Sequence, residues 1–484
     1  MKLKELLRDV LDAEVEIEIN GLAIDSRLVQ EGYAFIALQG NCQHGMAHVD
    51  QAIANGACVV LYEPAGLMTK LDGLLVPYFS IPDLAQFLGI IAARFYDLPS
   101  RKLAIIGITG TNGKTTCSQL IAQALRDCGV IGTLGWGIPG DLSPTINTTP
   151  DALSIQQMLA QFVSLGKAAL AMEVSSHGLQ LGRINAVEFT GAVFTNLSRD
   201  HLDFHGNMDA YFQAKLSLFK QSTLKFAVLN ADDSTVLTVR NHLAANVKCW
   251  TFSAKGQFIA DTECILAKQV HMSADGIHFQ VIWGEQIAEA FTPLVGEFNL
   301  ENVLAVLAVM LAMGTNFSLA VASLKNLKAS LGRMEKFGGS HKPTVFVDYA
   351  HTPDALEKVL KGLKGFGRLR VVFGCGGNRD KGKRREMGRI AETLADQVII
   401  TDDNPRDEVA SEIIDEILMG CQSQKVMVIH NRKLAINIAI QQASKDDCIL
   451  IAGKGHEDYQ EVNGVKLPFS DQAIVQQSLA MWNQ

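Results

Sequence analysis

The loop at residues 110–116, Gly-Thr-Asn-Gly-Lys-Thr-Thr, has the residue types and spacing that phosphate chemistry requires. An apolar run precedes it, and a helix is predicted after it over 117–126. The two glycines let backbone N–H groups approach phosphate oxygens, and the N-terminus of the helix adds the positive end of its dipole. Lys114 can reach the outer phosphates, and the Thr115 hydroxyl can ligate Mg²⁺. The order of these parts favours a nucleotide site over a glycine turn with a surface lysine, although Ile108 replaces one glycine of the strict P-loop pattern.

Polar clusters follow one predicted strand after another in the rest of the chain. They lie at 173–177, 195–201, 348–354, 374–381, 402–406 and 453–457. Ligands of open parallel sheets bind beyond the carboxyl ends of the strands, so these clusters are candidate binding residues. Any one of them could instead be a helix cap or a turn. Their repetition favours a ligand site built from several strand ends.

Glu173 is a candidate Mg²⁺ ligand, because a hard cation beside a triphosphate prefers carboxylate oxygen. A strand-end carboxylate with purely structural hydrogen bonds is the alternative. His201 and His205 are four residues apart, but the intervening Leu-Asp-Phe does not form a zinc-protease motif. We therefore interpret His201 as a site residue and His205 as structural.

The composition is that of a globular protein of a reducing compartment. Of 484 residues, 48% are hydrophobic and 19% are charged, which excludes a disordered chain. The net charge of −8 argues against nucleic-acid binding. The nine cysteines are scattered without a Cys-x-x-Cys pair and are interpreted as reduced thiols. The charged N-terminus is atypical of a signal peptide, and the apolar run 303–313 is too short to span a bilayer. We expect a cytoplasmic monomer without membrane insertion.

The predicted elements alternate between strands and helices, which indicates an α/β protein with largely parallel sheets. Strands are predicted at 35–38, 58–62, 168–174, 187–195, 226–230, 344–347, 370–373, 397–401, 426–429 and 448–452. Helices are predicted at 84–95, 117–126, 301–313, 353–363 and 408–419. Between about 247 and 291 the pattern changes to short alternating strands, which indicates an antiparallel extension.

Three domains are expected from the length and from this alternation. Residues 1–98 form a small α/β unit that ends at the predicted linker Leu98-Pro99-Ser100. Residues 99–332 contain the phosphate loop and a mainly parallel sheet. Residues 333–484 have the regular alternation of a doubly wound, Rossmann-like domain.

Several motifs, in order and spacing, resemble those of the bacterial Mur ligases. They lie at 110–116, 173–179, 196–203, 331–335, 348–354 and 453–457. The resemblance covers nearly the whole chain and implies an N-terminal domain for a UDP-sugar, a central P-loop-type ATPase domain and a C-terminal domain for an amino acid. It implies an amide ligase in which ATP converts a carboxylate to an acyl phosphate and an amine then displaces phosphate. The motifs are most similar to those of members that add meso-2,6-diaminopimelate to UDP-N-acetylmuramoyl-L-alanyl-D-glutamate in peptidoglycan precursor synthesis.

The resemblance also implies the residues that handle ATP, the co-substrate, and Mg²⁺. The implied ATP-binding residues are Gly110, Thr111, Asn112, Gly113, Lys114, Thr115, Thr116, Asn299, Arg333, Asp348 and His351. The implied catalytic residues are Lys114, Glu173, His201 and Lys215, and Thr115, Glu173, His201 and Lys215 would surround the metal. Lys215 corresponds to the lysine that the family carbamylates to N6-carboxylysine, whereas sequence alone would make it a solvated helix residue. A carbamate is an anionic oxygen ligand, but a free ammonium repels Mg²⁺.

For the UDP-linked dipeptide, the resemblance implies residues from the first two domains. They are Ile24, Ser26, Asn41, Cys42, Gln43, Asn147, Thr148, Thr149, Ser175, Leu181 and Arg183. Two places depart from the family pattern. Asn-Cys-Gln at 41–43 replaces a His-Gln-Ala of some members, and Leu181 stands where a glutamine is familiar, with Gln180 beside it.

For diaminopimelate, the implied residues lie in the C-terminal domain. They are Arg379, Asp403, Asn404, Pro405, Arg406, Gly453 and Glu457. Diaminopimelate differs from lysine by a second carboxylate at its far end, and the guanidinium of Arg406 offers that carboxylate a bidentate fork. The alternative is a strand-end turn with an exposed arginine.

Two other functions compete with this interpretation. One is a different amide-forming ligase, such as the step that adds D-alanyl-D-alanine, or folylpolyglutamate synthesis. Arg379 and the cluster 403–406 argue against both. The other is an ATP-binding switch on a degenerate ligase scaffold. The presence of Lys114, Glu173, His201 and Lys215 argues against degeneration.

Overall fold

The computed structural model describes residues 1–12, 15–40, 43–67, 73–423 and 426–482. Its N-terminal sheet is parallel, with strand order β1-β2-β3-β4. The strands are β1 Gly21–Ala23, β2 Tyr33–Ala37, β3 Ala57–Tyr62 and β4 Tyr78–Ser80. The helices are α1 Leu3–Leu6, α2 Val49–Ala54 and α3 Leu84–Phe95. Helix α3 has the predicted bounds, and its buried face packs on one side of this sheet.

The central sheet has the order β15-β14-β13-β12-β11-β10-β5-β9-β6-β7-β8. Its strands are β5 Ala104–Thr109, β6 Cys128–Gly132, β7 Gly135–Ile138, β8 Asp141–Ser143, β9 Ala169–Glu173, β10 Gly191–Phe194, β11 Phe226–Asn230, β12 Lys248–Ser253, β13 Glu263–Ser273, β14 Gly276–Trp283 and β15 Gln286–Thr292. Its helices are α4 Lys114–Ala124, α5 Ala152–Ser164, α6 Ser176–Gln180, α7 Leu202–His205, α8 Met208–Leu216, α9 Val236–Asn241, α10 Glu297–Ala312 and α11 Phe317–Ser323. Strands β9 and β10 flank β5 and run parallel to it, so their carboxyl ends adjoin the phosphate loop.

The C-terminal sheet has the order β16-β17-β21-β18-β19-β20. The strands are β16 Glu335–Gly339, β17 Lys342–Asp348, β18 Leu369–Phe373, β19 Gln397–Ile400, β20 Val426–Val428, β21 Cys448–Ala452, β22 Tyr459–Val462 and β23 Val465–Pro468. The helices are α12 Pro353–Leu363, α13 Gly382–Leu394, α14 Ala410–Leu418, α15 Arg432–Gln441 and α16 Asp471–Ala480. Separate apolar clusters cover the two faces of the sheet, as a doubly wound domain requires. The three-domain α/β fold expected from the sequence is confirmed.

The structure corrects several predicted elements. Helix α4 begins at Lys114 rather than 117, because Gly113 adopts a left-handed conformation (φ 86°) that lets the helix start directly after the loop. Of the predicted strand 187–195, only Gly191–Phe194 is extended. Strand β12 is parallel to β11, and the antiparallel extension begins with β14.

Two features of the C-terminal domain were not predicted. Strand β16 adds an antiparallel edge to its sheet. Strands β22 and β23 form a separate antiparallel hairpin. None of these short strands contains a fully buried residue, so the apolar pattern that marks a strand in the sequence is weak in them.

The predicted linker at 98–100 is partly helical and buried. Pro99–Lys102 is a 3₁₀ helix, and Pro99 and Ser100 are both buried. Proline and serine at a break between elements usually indicate a surface turn, whereas here both residues are buried. None of the helices in the described part of the chain is long and apolar enough to cross a bilayer.

Candidate active site at the strand ends

The phosphate loop is held by the segment that follows β10. The Asn112 N–H donates to Asn196 Oδ1 at 2.9 Å, and the Ser198 N–H donates to Thr111 Oγ1 at 2.9 Å. A Cβ atom on Gly110 would lie 1.9 Å from Thr195 Oγ1, so this backbone approach requires glycine. The loop shape that sequence reasoning assigned to phosphate is therefore set by a neighbouring strand end.

Lys114 folds back over the loop. Its Nζ donates to the carbonyl oxygens of Gly110 at 3.0 Å and of Thr111 at 2.8 Å. Burial lowers its pKa, and the charges of Glu173 and Asp200 oppose this shift. The ammonium group lies at the N-terminus of α4, where it can donate to phosphate oxygens in place of these two carbonyl oxygens.

Lys215 is buried rather than solvated, with 1% of its surface exposed. Its Nζ donates to Gly110 O at 2.7 Å and lies 4.4 Å from the centre of the Tyr211 ring. Burial lowers the pKa of Lys215 well below its usual value, and the nearby Lys114 charge adds to this effect. The sequence pattern alone predicted a solvated lysine, which was wrong. Polar and apolar residues are not separated onto two faces of this short helix, so its pattern does not show which face is buried.

Glu173 ends β9 fully buried and accepts several hydrogen bonds. Thr115 Oγ1 donates to its Oε2 at 2.9 Å, the Thr133 N–H donates to its Oε1 at 2.8 Å, and Thr133 Oγ1 donates to its Oε2 at 3.1 Å. Burial raises the pKa of Glu173, whereas the Thr133 N–H and the Lys114 charge oppose that shift. Thr133 was not predicted; its position directly after strand β6 was the available signal.

The oxygens of Thr115 and Glu173 suit a hard cation. The two atoms are 2.9 Å apart, which is compatible with both being ligands of one ion in place of their mutual hydrogen bond. The described residues contain no cluster of three or more His, Cys, Asp or Glu side chains able to hold a metal. The Thr115 and Glu173 oxygens suit Mg²⁺, which is commonly bound by one or two protein oxygens together with phosphates and waters.

His201 and His205 both contact His177 and Tyr211 but differ in burial and in their hydrogen-bond partners. His201 adopts a left-handed conformation (φ 53°), and its Nε2 lies 3.5 Å from Asp200 Oδ2. Burial lowers its pKa, which Asp200 opposes. His205 is buried, and its Nε2 shares a 2.9 Å hydrogen bond with Ser176 Oγ.

Residues from beyond position 332 reach the phosphate loop. Asn112 Nδ2 donates to Asp354 Oδ2 at 3.0 Å. The Arg333 guanidinium stacks on Tyr349 at 4.5 Å, and its Nη2 lies 3.5 Å from Thr115 Oγ1. Residues of the C-terminal domain therefore line the nucleotide site that was predicted from the motifs of the central domain.

The other residues expected at the nucleotide make local contacts. Asp348 accepts the N–H groups of Met334 and Ala350, each at 2.8 Å. His351 is exposed, and its Nδ1 shares a 2.8 Å hydrogen bond with Tyr349 O. Asn299 Nδ2 donates to Val295 O at 2.8 Å. The structure brings the first two to the edge of the site, and Asn299 lies inside the first turns of α10.

Part of the set predicted for the dipeptide gathers around Glu173. Thr149 Oγ1 donates to Glu173 O at 2.9 Å and accepts the Ser175 N–H at 2.9 Å. Arg183 Nη1 donates to Thr149 O at 2.9 Å, and Thr148 Oγ1 lies 3.0 Å from Thr133 Oγ1.

The rest of that set is spread more widely. Asn147, Gln43 and Leu181 are exposed, and Ile24 is half-buried. Ser26 Oγ donates to Gln51 Oε1 at 2.7 Å. The predicted residues Asn41 and Cys42 lie outside the described residues.

The cluster predicted for diaminopimelate is assembled around a buried lysine. Lys454 Nζ donates to Asn404 Oδ1 at 2.9 Å and to Glu457 Oε2 at 3.0 Å, and Asn404 Nδ2 donates to the same Glu457 oxygen at 2.8 Å. Asp403 Oδ1 accepts the Asn404 N–H at 2.7 Å. A Cβ atom on Gly453 would lie 2.8 Å from Asp403 Oδ2, so the close approach favours glycine. Lys454 was not predicted, although it lies within a quoted motif.

Arg406 adopts a left-handed conformation (φ 52°) after Pro405. Its Nη1 donates to Gly377 O at 2.8 Å, and its Nε donates to Glu461 Oε2 at 3.2 Å. Glu461 lies on the unpredicted hairpin, so the sequence pattern did not reveal this partner. Arg379 is exposed on the loop that contains Gly377.

Known proteins are similar to this chain over nearly its whole length. Family models match 18–96 (Mur ligase family, catalytic domain), 108–310 (Mur ligase middle domain) and 332–455 (Mur ligase, glutamate ligase domain). The UDP-N-acetylmuramoyl-L-alanyl-D-glutamate–2,6-diaminopimelate ligase of Pseudomonas aeruginosa is 45% identical over 97% of each chain. The protein of that name from Alkalilimnicola ehrlichii is 42% identical over 99% of each. The chain belongs to the Mur ligase family.

Solved structures agree with this assignment. A structure of a UDP-N-acetylmuramoyl-L-alanyl-D-glutamate–2,6-diaminopimelate ligase is 35% identical, with a TM-score of 0.72 over 99% of both chains. A MurF structure from Acinetobacter baumannii has a TM-score of 0.69 at 18% identity, covering 99% of this chain and 98% of the other, and shares the fold alone.

As a Mur ligase, the protein is an ATP-dependent ligase of peptidoglycan precursor synthesis. The geometry fits that chemistry because α4 begins directly after the loop and Lys114 folds back over it, so a helix N-terminus and an ammonium group lie together at the loop. Thr115 is hydrogen-bonded to Glu173, and Arg333 from the C-terminal domain lies 3.5 Å from the same Thr115 hydroxyl. Charge neutralisation and positioning, which dominate phosphoryl transfer, are thus provided from two domains.

Proposed function

We propose that this ligase joins meso-2,6-diaminopimelate to UDP-N-acetylmuramoyl-L-alanyl-D-glutamate. The observation that carries the proposal is the turn that contains both Asn404 and Arg406. The Arg406 guanidinium, which donates to Gly377 O, suits a carboxylate, and Asn404 is hydrogen-bonded to Glu457, an anionic side chain that suits an ammonium group. A carboxylate and an ammonium group are the groups at the far end of this diamino diacid. The names of the relatives at 42–45% identity support the same substrates.

The proposed division of labour follows the three domains. Residues 1–98 would bind the UDP-sugar, 99–332 would bind ATP, and 333–484 would bind the amino acid. Support comes from the phosphate loop after β5 and from the amino-acid cluster after β19 and β21. The contact between Asn112 and Asp354 joins the two domains that contain these sites.

The proposed reaction has two displacements. The acceptor carboxylate attacks the γ-phosphorus, the bond to the bridging oxygen breaks, and ADP leaves. The diaminopimelate amine then attacks the acyl carbon, loses a proton, and expels inorganic phosphate to leave the amide. Lys114 would hold the γ-phosphate through both steps, and His201 would stand beside the metal site.

Thr115 and Glu173 would hold Mg²⁺, which when bound neutralises charge on the phosphates. Lys215 would complete the site as N6-carboxylysine. Carbamylation requires a neutral amine to add to CO₂, and burial of Lys215 favours that neutral form. The resulting carbamate would replace this buried amine with an anionic oxygen near Gly110.

The direct test is an assay of amide product with ATP, UDP-N-acetylmuramoyl-L-alanyl-D-glutamate and one of three amines. We expect tripeptide with diaminopimelate and little product with lysine or D-alanyl-D-alanine. Equal use of lysine would contradict the specificity, and phosphate release without both other substrates would favour the ATP-switch alternative. The Lys114→Ala variant should fold but lose turnover.

The cytoplasmic location and the monomeric state stay predictions from the sequence. Size-exclusion chromatography with light scattering tests the second of these. A mass of one chain at assay concentration is expected.

A further inference from the structure

Thr133 lies between two groups of residues that are expected to bind different substrates. Its backbone N–H and its hydroxyl both donate to the Glu173 carboxylate, at 2.8 and 3.1 Å. The same hydroxyl lies 3.0 Å from Thr148 Oγ1, on the segment expected to contact the UDP-linked dipeptide. One side chain therefore links the carboxylate beside the phosphate loop to the acceptor segment.

The direction of the hydrogen bonds in this chain follows from proton counting. An ionised carboxylate only accepts, so the single Thr133 hydroxyl proton is directed to Glu173. The 3.0 Å contact with Thr148 then requires Thr148 to donate. The Thr148 oxygen is left with lone pairs that can accept a hydrogen bond from an N–H or O–H group of the acceptor.

The turn after β6 is packed closely against Glu173. A Cβ atom on Gly132 would lie only 2.1 Å from Glu173 Oε1, so the strand end reaches the carboxylate because this residue is glycine. Thr145 Oγ1 donates to Gly132 O at 2.9 Å, and Thr149 Oγ1 donates to Glu173 O at 2.9 Å. Hydrogen bonds therefore join the two ends of segment 145–149 to the ends of β6 and β9, which Thr133 also connects.

We propose that Thr133 is a positioning residue that couples the metal–nucleotide site to the acceptor site by orienting Glu173 and Thr148 together. The inference deepens the proposed function and rests on it for the identity of the acceptor. An in-line attack requires the acceptor carboxylate and the γ-phosphate to be placed relative to each other, and a shared hydrogen-bonded side chain does this. The backbone N–H of residue 133 would keep one bond to Glu173 in any variant, so the hydroxyl can be tested separately.

The variants for the test are Thr133→Val, which removes the hydroxyl at nearly constant shape, Thr133→Ala, and Thr133→Ser, which restores the hydroxyl. A matched control is Thr251→Val, which removes a buried hydroxyl of the same sheet that lies 2.8 Å from the Thr262 hydroxyl. Thermal unfolding verifies that each variant is folded. If the valine variant does not fold, the comparison of alanine with serine replaces it.

Binding is measured by calorimetry for a non-hydrolysable ATP analogue with Mg²⁺, alone and in the presence of UDP-N-acetylmuramoyl-L-alanyl-D-glutamate. Loss of a hydrogen bond to a charged group should weaken Mg²⁺–analogue binding about 10-fold in Thr133→Val. The factor by which the acceptor strengthens analogue binding should fall toward one, which a merely structural residue would not cause. Thr133→Ser and Thr251→Val should stay within about 3-fold of the wild type.

Steady-state kinetics supply a second criterion. We expect Thr133→Val to lower kcat about 10- to 100-fold while the KM for diaminopimelate stays unchanged, because the amino-acid cluster does not touch Thr133. Wild-type Mg²⁺–analogue binding in Thr133→Val would overturn the inference whatever the acceptor is. Failure of the proposed function is separate, since it would be seen as wild-type protein that makes no tripeptide.

Discussion

Lys114 and Lys215 donate hydrogen bonds to the same carbonyl oxygen, that of Gly110, at 3.0 and 2.7 Å. Two ammonium groups so close together would repel each other, and Lys215 is the more deeply buried of the two. Burial lowers its pKa well below the usual value, with the Lys114 charge as the second cause. The pair thus favours one phosphate-binding cation and one neutral amine, which is the form that carbamylation needs.

The depressed pKa of Lys215 predicts a pH dependence of stability. Between its folded-state and unfolded-state pKa values the unfolded chain binds the extra proton, so the free energy of unfolding falls as pH decreases. The slope from this one group is at most about 1.4 kcal/mol per pH unit. In CO₂-free buffer, Lys215→Met should raise the thermal midpoint at pH 7 more than at pH 9. An equal shift at both pH values would contradict a neutral buried amine.

The contact between Asn112 and Asp354 predicts a role for helix α12 in ATP use. Asp354→Ala removes the 3.0 Å acceptor of the Asn112 amide, and we expect the KM for ATP to rise about 3- to 10-fold. The matched control is Glu357→Ala on the same helix, which breaks only the exposed ion pair with Lys361. Equal effects of the two changes on ATP kinetics would count against this role.

Glu461 is predicted to weaken the affinity of the free enzyme for diaminopimelate. Its carboxylate partly neutralises Arg406 and would face the incoming carboxylate with like charge. Glu461→Gln should lower the KM for diaminopimelate about 3- to 10-fold and leave that for lysine unchanged, since lysine lacks the second carboxylate. A raised KM would mean that Glu461 helps to hold the substrate instead.

The converse change, Arg406→Ala, should weaken diaminopimelate use by at least about 2 kcal/mol in kcat/KM, because it leaves a carboxylate without its partner. Arg406→Lys should recover only part of this loss, since an ammonium lacks the planar fork. Unchanged kinetics in Arg406→Ala would remove the specificity argument.

Arg384 is predicted to stabilise the loop that holds Arg406. Its fully buried guanidinium pairs with Glu408 and Glu416, each at 2.9 Å, and donates to Gly376 O at 3.2 Å. Arg384→Met removes the buried cation of two carboxylates and leaves them only the more exposed Lys381, at 3.3 and 4.0 Å. It should cost about 2 kcal/mol of unfolding free energy, measured by denaturant titration. Adding Glu408→Gln and Glu416→Gln to that variant should recover much of the loss. A neutral effect of the single change would contradict the assignment.

The ion pair between Arg384 and Glu408 is also predicted to lose its stabilising effect in acid. The hydrogen bond from Arg384 lowers the pKa of Glu408 to about 2. Because the folded-state pKa is below the unfolded value of 4.5, the stabilisation is fully present above that pH and is lost as the pH falls toward 2. Arg384→Met should therefore lose part of the acid dependence of unfolding that the wild type shows over this range.

Local patterns in the sequence were sufficient to predict the phosphate loop, helix α3 and most parallel strands of the C-terminal sheet. Glycine spacing and apolar runs carry this information because they act on the chain within a few residues. The family motifs also predict that Glu173, Arg406 and the cluster 403–406 bind ligands, and this stays a prediction. The location of these residues at strand ends follows from the general behaviour of parallel sheets.

Only the tertiary structure decided the partners of these residues. Thr133 contacts Glu173 because strands β6 and β9 are neighbours, although 40 positions separate the two residues. Glu461 meets Arg406 through a hairpin with weak sequence signal, and Lys215 is buried because α8 packs under the phosphate loop. Hydrogen bonds and burial between distant segments depend on strand order and helix packing, which no local run of residues encodes by itself.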